Sequence, residues 1–562
     1  MTFPVSTERQ EAQVFVRPAR ETGRLLPWLV LALAVTILFL TAPWNRDMWW
    51  SDASRHAMDG AFYRDLFRHM PVGHLREFAV HYYLKYPALA ILFYPPLFPV
   101  VEGAFFGLFG VSLFSAQLTV AVFYLALAWG AYVLCRRWMG RWEATAASLL
   151  FIGFPEVAFW GRQVMLEIPT CAFLVWSAAA CFRYLDDQKP KWIYATAALL
   201  AAGFYTKQTG LFILAPLVWM LWRKRGWPFL KDGHMWGAAA LLAGLMLPLA
   251  MVNFKFALLN VGSVVGGQWT QVPVFSWAGW LFYAKLFPHQ ANWVVVVLAA
   301  IGWMSAWAQK KKWWGEGEAF FAAWLLIGYV FFSLIALKES RFTVMILLPL
   351  AFFAIRVVGR LAPARIAAVT ALLVAGVCFG DTLWRHPTPY VDGYGRAADY
   401  VAARAPRGSV ILFSGYRDGA FIFDMRRNFR RPDLWVLRAD KLLLRVPQRR
   451  ELGLEELKVS EAETLEMMNR YGVSYVVNQA NFWDDLQNMQ QLQRLLHSGE
   501  FRKVAVMPVV SNWNHEDREL EIYEKVGYST MSRKQGIRLD LPMAGIQVEG
   551  VIDNSEGSDA GH

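Results

Sequence analysis

The chain has 562 residues, of which 56% are hydrophobic, 15% aromatic and only 18% charged. A soluble domain carries about 25% charge, so this composition excludes an ordinary water-soluble protein. The net charge of +12 would suit nucleic acid, but Lys and Arg cluster in short segments between apolar runs, as in membrane loops, and nucleic acid binding is not expected.

In chain order, a polar stretch 1–24 with Arg17, Arg20 and Arg24 leads into the apolar run Leu25 to Leu40. That pattern predicts an uncleaved anchor with its N-terminal side inside. Further apolar spans are expected near 88–110, 112–135, 143–160, 168–185, 191–206, 208–222, 235–256, 291–308, 318–337, 342–358 and 364–384. Runs of about 18 residues or more mark membrane helices.

Basic clusters fall at every second loop from position 136 onward: Arg136-Arg137 with Arg141, Lys189 with Lys191, Arg223-Lys224-Arg225, Lys310-Lys311-Lys312, and Arg356 with Arg360 and Arg365. They define the inner side. The loops at 44–87, 161–167, 206–208, 256–290 and 338–341, and everything after 385, then fall outside. Parity between 44–87 and 136 needs an odd number of crossings, yet two runs lie there. Either part of 88–110, with Pro87, Pro95, Pro96 and Pro99, dips without crossing, or the Arg136 loop breaks the charge rule. The dip gives 11 spans, or 13 with finer breaks.

After 385 the charge rises and apolar runs shorten. Val410–Ser414, Leu434–Leu437, Val473–Val477 and Val504–Val510 read as strands, and Ala462–Tyr471 and Asp484–Leu496 as helices. The alternation predicts a compact α/β domain over 385–553. The tail 554–562, rich in Gly, Ser and Asp, reads as disordered. Cys135, Cys171, Cys181 and Cys378 lie in or at the ends of apolar runs without metal spacing and read as small core residues. His69, His74, Glu77 and His81 match no helical zinc motif, so no metal is expected. There is no P-loop or Rossmann signature.

The chemistry-bearing residues gather at the outer membrane boundaries. The segment 44–87 holds Trp49-Trp50-Ser51-Asp52-Ala53-Ser54-Arg55-His56-Ala57 and ends in Lys85-Tyr86-Pro87. Later boundaries hold Arg162, Glu167 before Pro169, Thr206-Lys207, and Lys338, Glu339 and Arg341. A carboxylate there can take a proton from an acceptor, while cations hold a phosphate leaving group. The competing readings are a helix cap for Asp52 and interfacial anchors for the cations.

The order of these motifs is Asp-x-x-Arg-His-Ala, Lys-Tyr-Pro, Tyr94-Pro95-Pro96-Leu97, an acid before Pro169, Thr-Lys, then Arg341-Phe342 followed by Leu348-Pro349. Over roughly residues 25–360 it resembles the GT-C superfamily of polyprenyl-phosphate-dependent glycosyltransferases. Within that superfamily it is most similar to the lipid A aminoarabinose transferases and protein O-mannosyltransferases. The resemblance implies a polytopic helical membrane domain over 25–384 with a catalytic first outer loop. It implies Asp52 as the acid that activates or orients the acceptor and Glu167 as a second carboxylate. It implies Arg55, Lys85, Tyr86, Arg162, Lys207 and Arg341 as donor-phosphate or substrate contacts. The donor would be a polyprenyl-phosphate sugar, the acceptor a lipid, glycan or protein hydroxyl, and no cofactor would be needed. The implied setting is a bacterial inner membrane, or equivalently an endoplasmic reticulum membrane, with the site outside. The chain departs from relatives in having Ala53 where Asp-Glu is common, a split Lys-Pro-Pro, and Glu167 in place of Asp. A transporter would instead carry charges deep within its spans, and a scaffold would make the Asp52, Lys85 and Glu167 set coincidental.

Overall fold

The computed structural model describes residues 25–256, 272–308, 315–361, 363–428, 430–446, 450, 453–528, 534–541 and 546–553. The N-terminal segment 1–24, the 257–271 part of the outer loop, Lys310-Lys311-Lys312 and the tail 554–562 lie outside them.

The first helix α1 (Leu26–Leu40) is followed by α2 (Ser51–His69), α3 (Leu75–Lys85), α4 (Leu97–Phe109), α5 (Leu113–Cys135), α6 (Arg141–Ile152), α7 (Pro155–Gly161), α8 (Glu167–Asp187), α9 (Pro190–Phe204), α10 (Leu214–Arg225) and α11 (Gly233–Lys255). The Ser112 hydroxyl caps α5 by accepting from the Ser115 N–H at 3.2 Å. Proline opens α7 and α9, where its missing N–H costs nothing.

Among the described residues, five helices are long and apolar enough to cross a membrane: Leu113–Cys135, Glu167–Asp187, Gly233–Lys255, Glu316–Ser333 and Ile366–Arg385. Three bent pairs raise the number to as many as eight, with bends of 67° at α6/α7, 115° at Trp277–Ala291/Trp293–Trp307 and 51° at Ser340–Ile346/Leu348–Arg360. The sequence counts 11 or 13 because it also admits the shorter apolar helices α1, α4, α9 and α10, of 15, 13, 15 and 12 residues. The proline-rich stretch after Pro87 leaves α4 only 13 residues long. Such a helix measures about 20 Å, too short to span a hydrocarbon core of about 30 Å alone.

Three of the basic clusters, those of Arg137, Lys224 and Arg356 with Arg360, meet carboxylates at one end of the helical bundle. Arg137, after α5, pairs with Asp186 at the end of α8 and with Glu316, and Lys224 of α10 reaches Glu316 at 3.0 Å. Arg356 and Arg360 both pair with Glu318.

Residues 44–87 are not a loop. They form α2 and α3, joined through the left-handed Met70 (φ 43°). Hydropathy misses α2 because its buried residues include polar Ser54, His56, Asp59 and Asp65 alongside apolar ones, so no apolar stripe stands out.

The domain after Arg385 is built on a mixed five-stranded sheet of order β3-β2-β6-β9-β7. Its strands are β2 (Val410–Ser414), β3 (Trp435–Arg438), β6 (Val473–Asn478), β7 (Phe501–Pro508) and β9 (Glu519–Lys525), while β1 (Val391–Asp392) pairs with β8 (Val510–Ser511) and β4 (Leu444–Arg445) with β5 (Glu455–Glu456) beside it. β2 runs parallel to β3 and β6, whereas β9 is antiparallel to β6 and β7. The helices Glu461–Tyr471 and Gln487–Leu496 lie close to their sequence expectations. The strand β9 and the hairpin β10 (Lys534–Leu541)–β11 (Ile546–Asp553) are additions.

This domain is clamped onto α2 and α3. The Asp47 carboxylate accepts from the N–H groups of Gly393, Tyr394 and Gly395 at 2.9, 2.7 and 3.1 Å. Asp65 pairs with Arg426, whose Nε also donates to the Tyr82 hydroxyl at 3.0 Å. Leu84 of α3 is fully buried in the domain's apolar core with Ile537, Val548 and Ile552.

Candidate active site

Four separate segments bring charged side chains together at the end of the bundle opposite the basic clusters. α2 brings Asp52 in its first turn, α8 brings Glu167 at its start, the 3-10 turn Gln208–Ile213 brings Lys207 at its N-cap, and the 3-10 turn Ser340–Ile346 brings Arg341. Arg341 Nη1 donates to Asp52 Oδ2 at 2.6 Å. Arg341 Nε donates to Glu339 and lies 3.9 Å from Glu167 Oε1. Lys207 Nζ donates to that same Glu167 oxygen.

Glu167 is fully buried, and its Oε2 has no partner among the described residues. A buried carboxylate oxygen held beside two cations, with its lone pairs unused, is an acceptor waiting for a donor. The walls are aromatic. Trp160 lies under the Arg341 guanidinium at 5.9 Å and against Trp50 at 5.3 Å, and Phe342 faces Lys207 at 5.5 Å. Trp160 Nε1 also donates to Glu156 at 2.7 Å.

His56 sits one turn beyond Asp52 on the same face of α2, and sequence reasoning gave it no role. It is fully buried against Tyr94, with ring centroids 4.3 Å apart. Burial pushes its pKa down to about 4, against the opposing pull of Asp52 and Glu167. The imidazole is therefore neutral at physiological pH. Its i, i+4 spacing from Asp52 was the one available signal.

The remaining predicted residues lie elsewhere. Arg55 turns toward the C-terminal domain, where its Nη2 donates to Asp418 Oδ2 at 2.7 Å while its buried Nη1 has no partner among the described residues. Lys85 lies over the Trp435 ring at 5.3 Å. Tyr86 is buried against Tyr82, with the Arg426 guanidinium 5.8 Å from its ring. Arg162 is spent on the backbone: Nε donates to the Ala158 carbonyl at 2.9 Å and Nη2 to the His386 carbonyl at 2.7 Å. Lys338 donates to the carbonyls of Phe332 and Ser333. Of the first-segment histidines, His69 bonds the Asp65 carbonyl at 2.8 Å and His81 meets the Trp435 ring. Among the described residues no three His, Cys, Asp or Glu side chains gather as a metal site.

Residues 94–251 match the family model of dolichyl-phosphate-mannose-protein mannosyltransferases. The matched stretch contains Glu167 and Lys207, and the structure supplies Asp52 and Arg341 from outside it. An undecaprenyl phosphate-α-4-amino-4-deoxy-L-arabinose arabinosyl transferase 1 of Pseudomonas fluorescens strain Pf-5 is 27% identical over 262 residues, covering 43% of this chain and 46% of that protein. A transferase 2 of strain Pf0-1 is also 27% identical, over 263 residues, covering 43% of this chain and 46% of that protein. The chain thus matches about half the length of these curated relatives.

Among solved structures, ArnT from Cupriavidus metallidurans bound to undecaprenyl phosphate superposes with a TM-score of 0.60 at 14% identity, covering 91% of this chain and 100% of that one. The oligosaccharyltransferase of Archaeoglobus fulgidus gives 0.53 at 11% identity, covering 82% of this chain and 70% of that one. At such identities the likeness is one of fold. The chain is a multi-span helical membrane protein with an ArnT-like fold, and part of its sequence is similar to the aminoarabinose transferases and to the protein mannosyltransferase family model.

Proposed function

We propose that the protein is an integral membrane glycosyltransferase. It moves a sugar from a polyprenyl-phosphate carrier to an acceptor hydroxyl on the outer face of a bacterial inner membrane. The observation that carries this reading is the convergence of Asp52, Arg341, Glu167 and Lys207 from four segments. Charges brought together at such desolvation cost serve a site better than a scaffold.

The reaction is a single displacement. The acceptor oxygen forms a bond to the anomeric carbon as the bond to the phosphate oxygen breaks, and the electron pair leaves with the lipid phosphate. The acceptor proton passes to Asp52, which acts as base or orienter. One displacement inverts the anomeric configuration. Glu167 Oε2 accepts from a sugar hydroxyl or amine. Lys207 and Arg341 offset charge on the departing phosphate. The C-terminal domain lies outside with the site, and the basic clusters face the cytoplasm.

The test is transfer from undecaprenyl phosphate-linked 4-amino-4-deoxy-L-arabinose, and from a panel of other lipid-phosphate sugars, by membranes carrying wild type or Asp52→Asn at equal expression. Transfer by wild type that drops at least about 100-fold in the variant supports the reading. Equal transfer moves the base away from Asp52.

A further inference from the structure

The amino end of α2 has no side-chain cap, and its N-cap residue is Trp50. Something else must fix the turn that carries Asp52. Three residues in a row of the C-terminal domain do so. Arg417 donates to the Trp49 carbonyl and stacks on the Trp49 ring at 4.1 Å, its Nε anchored on Asp517 at 2.8 Å. Asp418 receives Arg55 at 2.7 Å. Gly419 lies flush against Ser54: a Cβ at position 419 would fall onto the Ser54 hydroxyl, 3.0 Å from its Cβ and 3.5 Å from Arg55 Nη1.

Asp418 is itself rigidly held. Arg438, at the end of β3, pairs with it at 2.5 Å and forks onto Asp440 at 2.9 and 2.6 Å. Burial works to raise the Asp418 carboxyl, but Arg438 and Arg55 outweigh it and keep it below its ordinary value. A continuous train of fixed groups therefore runs from the sheet through Arg438 and Asp418 to Arg55, one helical turn from Asp52.

We propose that Asp418 and Gly419 are positioning residues, through which the C-terminal domain sets the Asp52-bearing turn of α2 in its working orientation. The inference rests on the glycosyl-transfer reading for its kinetic effect but not for its mechanical one. Asp418 holds Arg55 through Nη2 while Nη1 lies 3.5 Å from where a Cβ of residue 419 would sit, so the Arg55 fork and the Gly419 contact fix the same turn. Gly419 permits the close approach, and any larger residue would drive α2 away from the domain.

The experiment compares full-length wild type, Gly419→Ala, Ser54→Gly, the Gly419→Ala/Ser54→Gly double variant and Asp418→Asn. Each is assayed with undecaprenyl phosphate-linked 4-amino-4-deoxy-L-arabinose and the other lipid-phosphate sugars. A misplacement of order 1 Å costs about 100-fold in rate. Gly419→Ala should lower kcat by about that factor with donor KM within about 3-fold, because only alignment is lost. Ser54→Gly alone should stay close to wild type and should restore the double variant, since it removes the obstructing atoms. Asp418→Asn should lower kcat about 10-fold with donor KM within about 3-fold, because a loosened Arg55 leaves the same turn misaligned.

Normal kcat in Gly419→Ala, or failure of Ser54→Gly to restore it, overturns the inference. If wild type transfers no sugar at all, the glycosyl-transfer reading falls and hydrogen exchange in the same proteins decides the inference separately. Faster exchange in Gly419→Ala confined to residues 49–58 and reversed by Ser54→Gly supports it, and unchanged exchange there overturns it.

Discussion

Arg341 Nη1 lies 2.6 Å from Asp52 Oδ2, joining residues 289 positions apart. The same guanidinium donates to Glu339 and approaches Glu167, so one cation holds three carboxylates in place. A lysine cannot bridge them, because it lacks the planar fork. Arg341→Lys is expected to fold yet lose about 100-fold in transfer rate. Arg341→Gln leaves buried carboxylates unpaired and should cost about 3–5 kcal/mol of stability, read as a lower Tm in detergent.

Glu167 and Lys207 form the second half of the cluster. Glu167→Gln keeps the shape but strands the ammonium, and transfer should fall by about 100-fold. Glu167→Asp keeps the charge but withdraws it by one methylene, and a loss of only about 10-fold is expected from initial rates at saturating donor. Equal losses would mean that position, not charge, is what the site requires.

His56 gives an acid-sensitive signature. Its folded pKa is about 4 against 6.5 in the unfolded chain, set by burial, with Asp52 and Glu167 pulling upward and Lys207 and Arg341 downward. The unfolded state therefore binds the extra proton first. Stability is fully present above pH 6.5 and is lost as pH falls from there toward 4, by about 3 kcal/mol in all. Thermal melts of His56→Asn should show a shallower fall over that window than wild type. Parallel profiles would remove His56 as the source.

Asp65 ties α2 to the C-terminal domain through Arg426 and Tyr82. Asp65→Ala leaves a buried guanidinium without its carboxylate, at a cost of about 3–5 kcal/mol. The domain should loosen before the bundle does. Limited proteolysis should then reveal a new cut between Arg385 and Val391, with the bundle fragment intact.

The membrane class and the strands β2, β3 and β6 were legible in sequence, because each depends on local pattern. Apolar runs announce spans, and strand-length runs bounded by turns announce a sheet. The kink at Pro155 was not legible, since a hydropathy window averages over it, and the helix Trp277–Ala291 reads as loop because Lys285, Pro288, His289 and Gln290 interrupt its apolar run. Nor was the helical state of 51–69, whose buried face includes Ser54, His56, Asp59 and Asp65 and so reads as a polar loop. Asp52, Glu167, Lys207 and Arg341 could be named from their motifs, but not their pairing, which depends on contacts up to 289 residues apart. Arg55 looked like an equal member of that set, and only its Asp418 partner 363 residues away shows that it faces the other domain.

The clamp between the two domains has a consequence for biosynthesis. Asp47 finds its partner Gly393 346 positions later, and Arg55 finds Asp418 363 positions later. At ribosomal speeds that interval is on the order of tens of seconds. Throughout it, α2 and α3 have buried polar faces uncovered and the Asp52 turn unsupported. A nascent chain therefore carries an incomplete clamp until the second domain is made and docks. The uncovered pair of helices is then the natural target for quality-control chaperones and proteases.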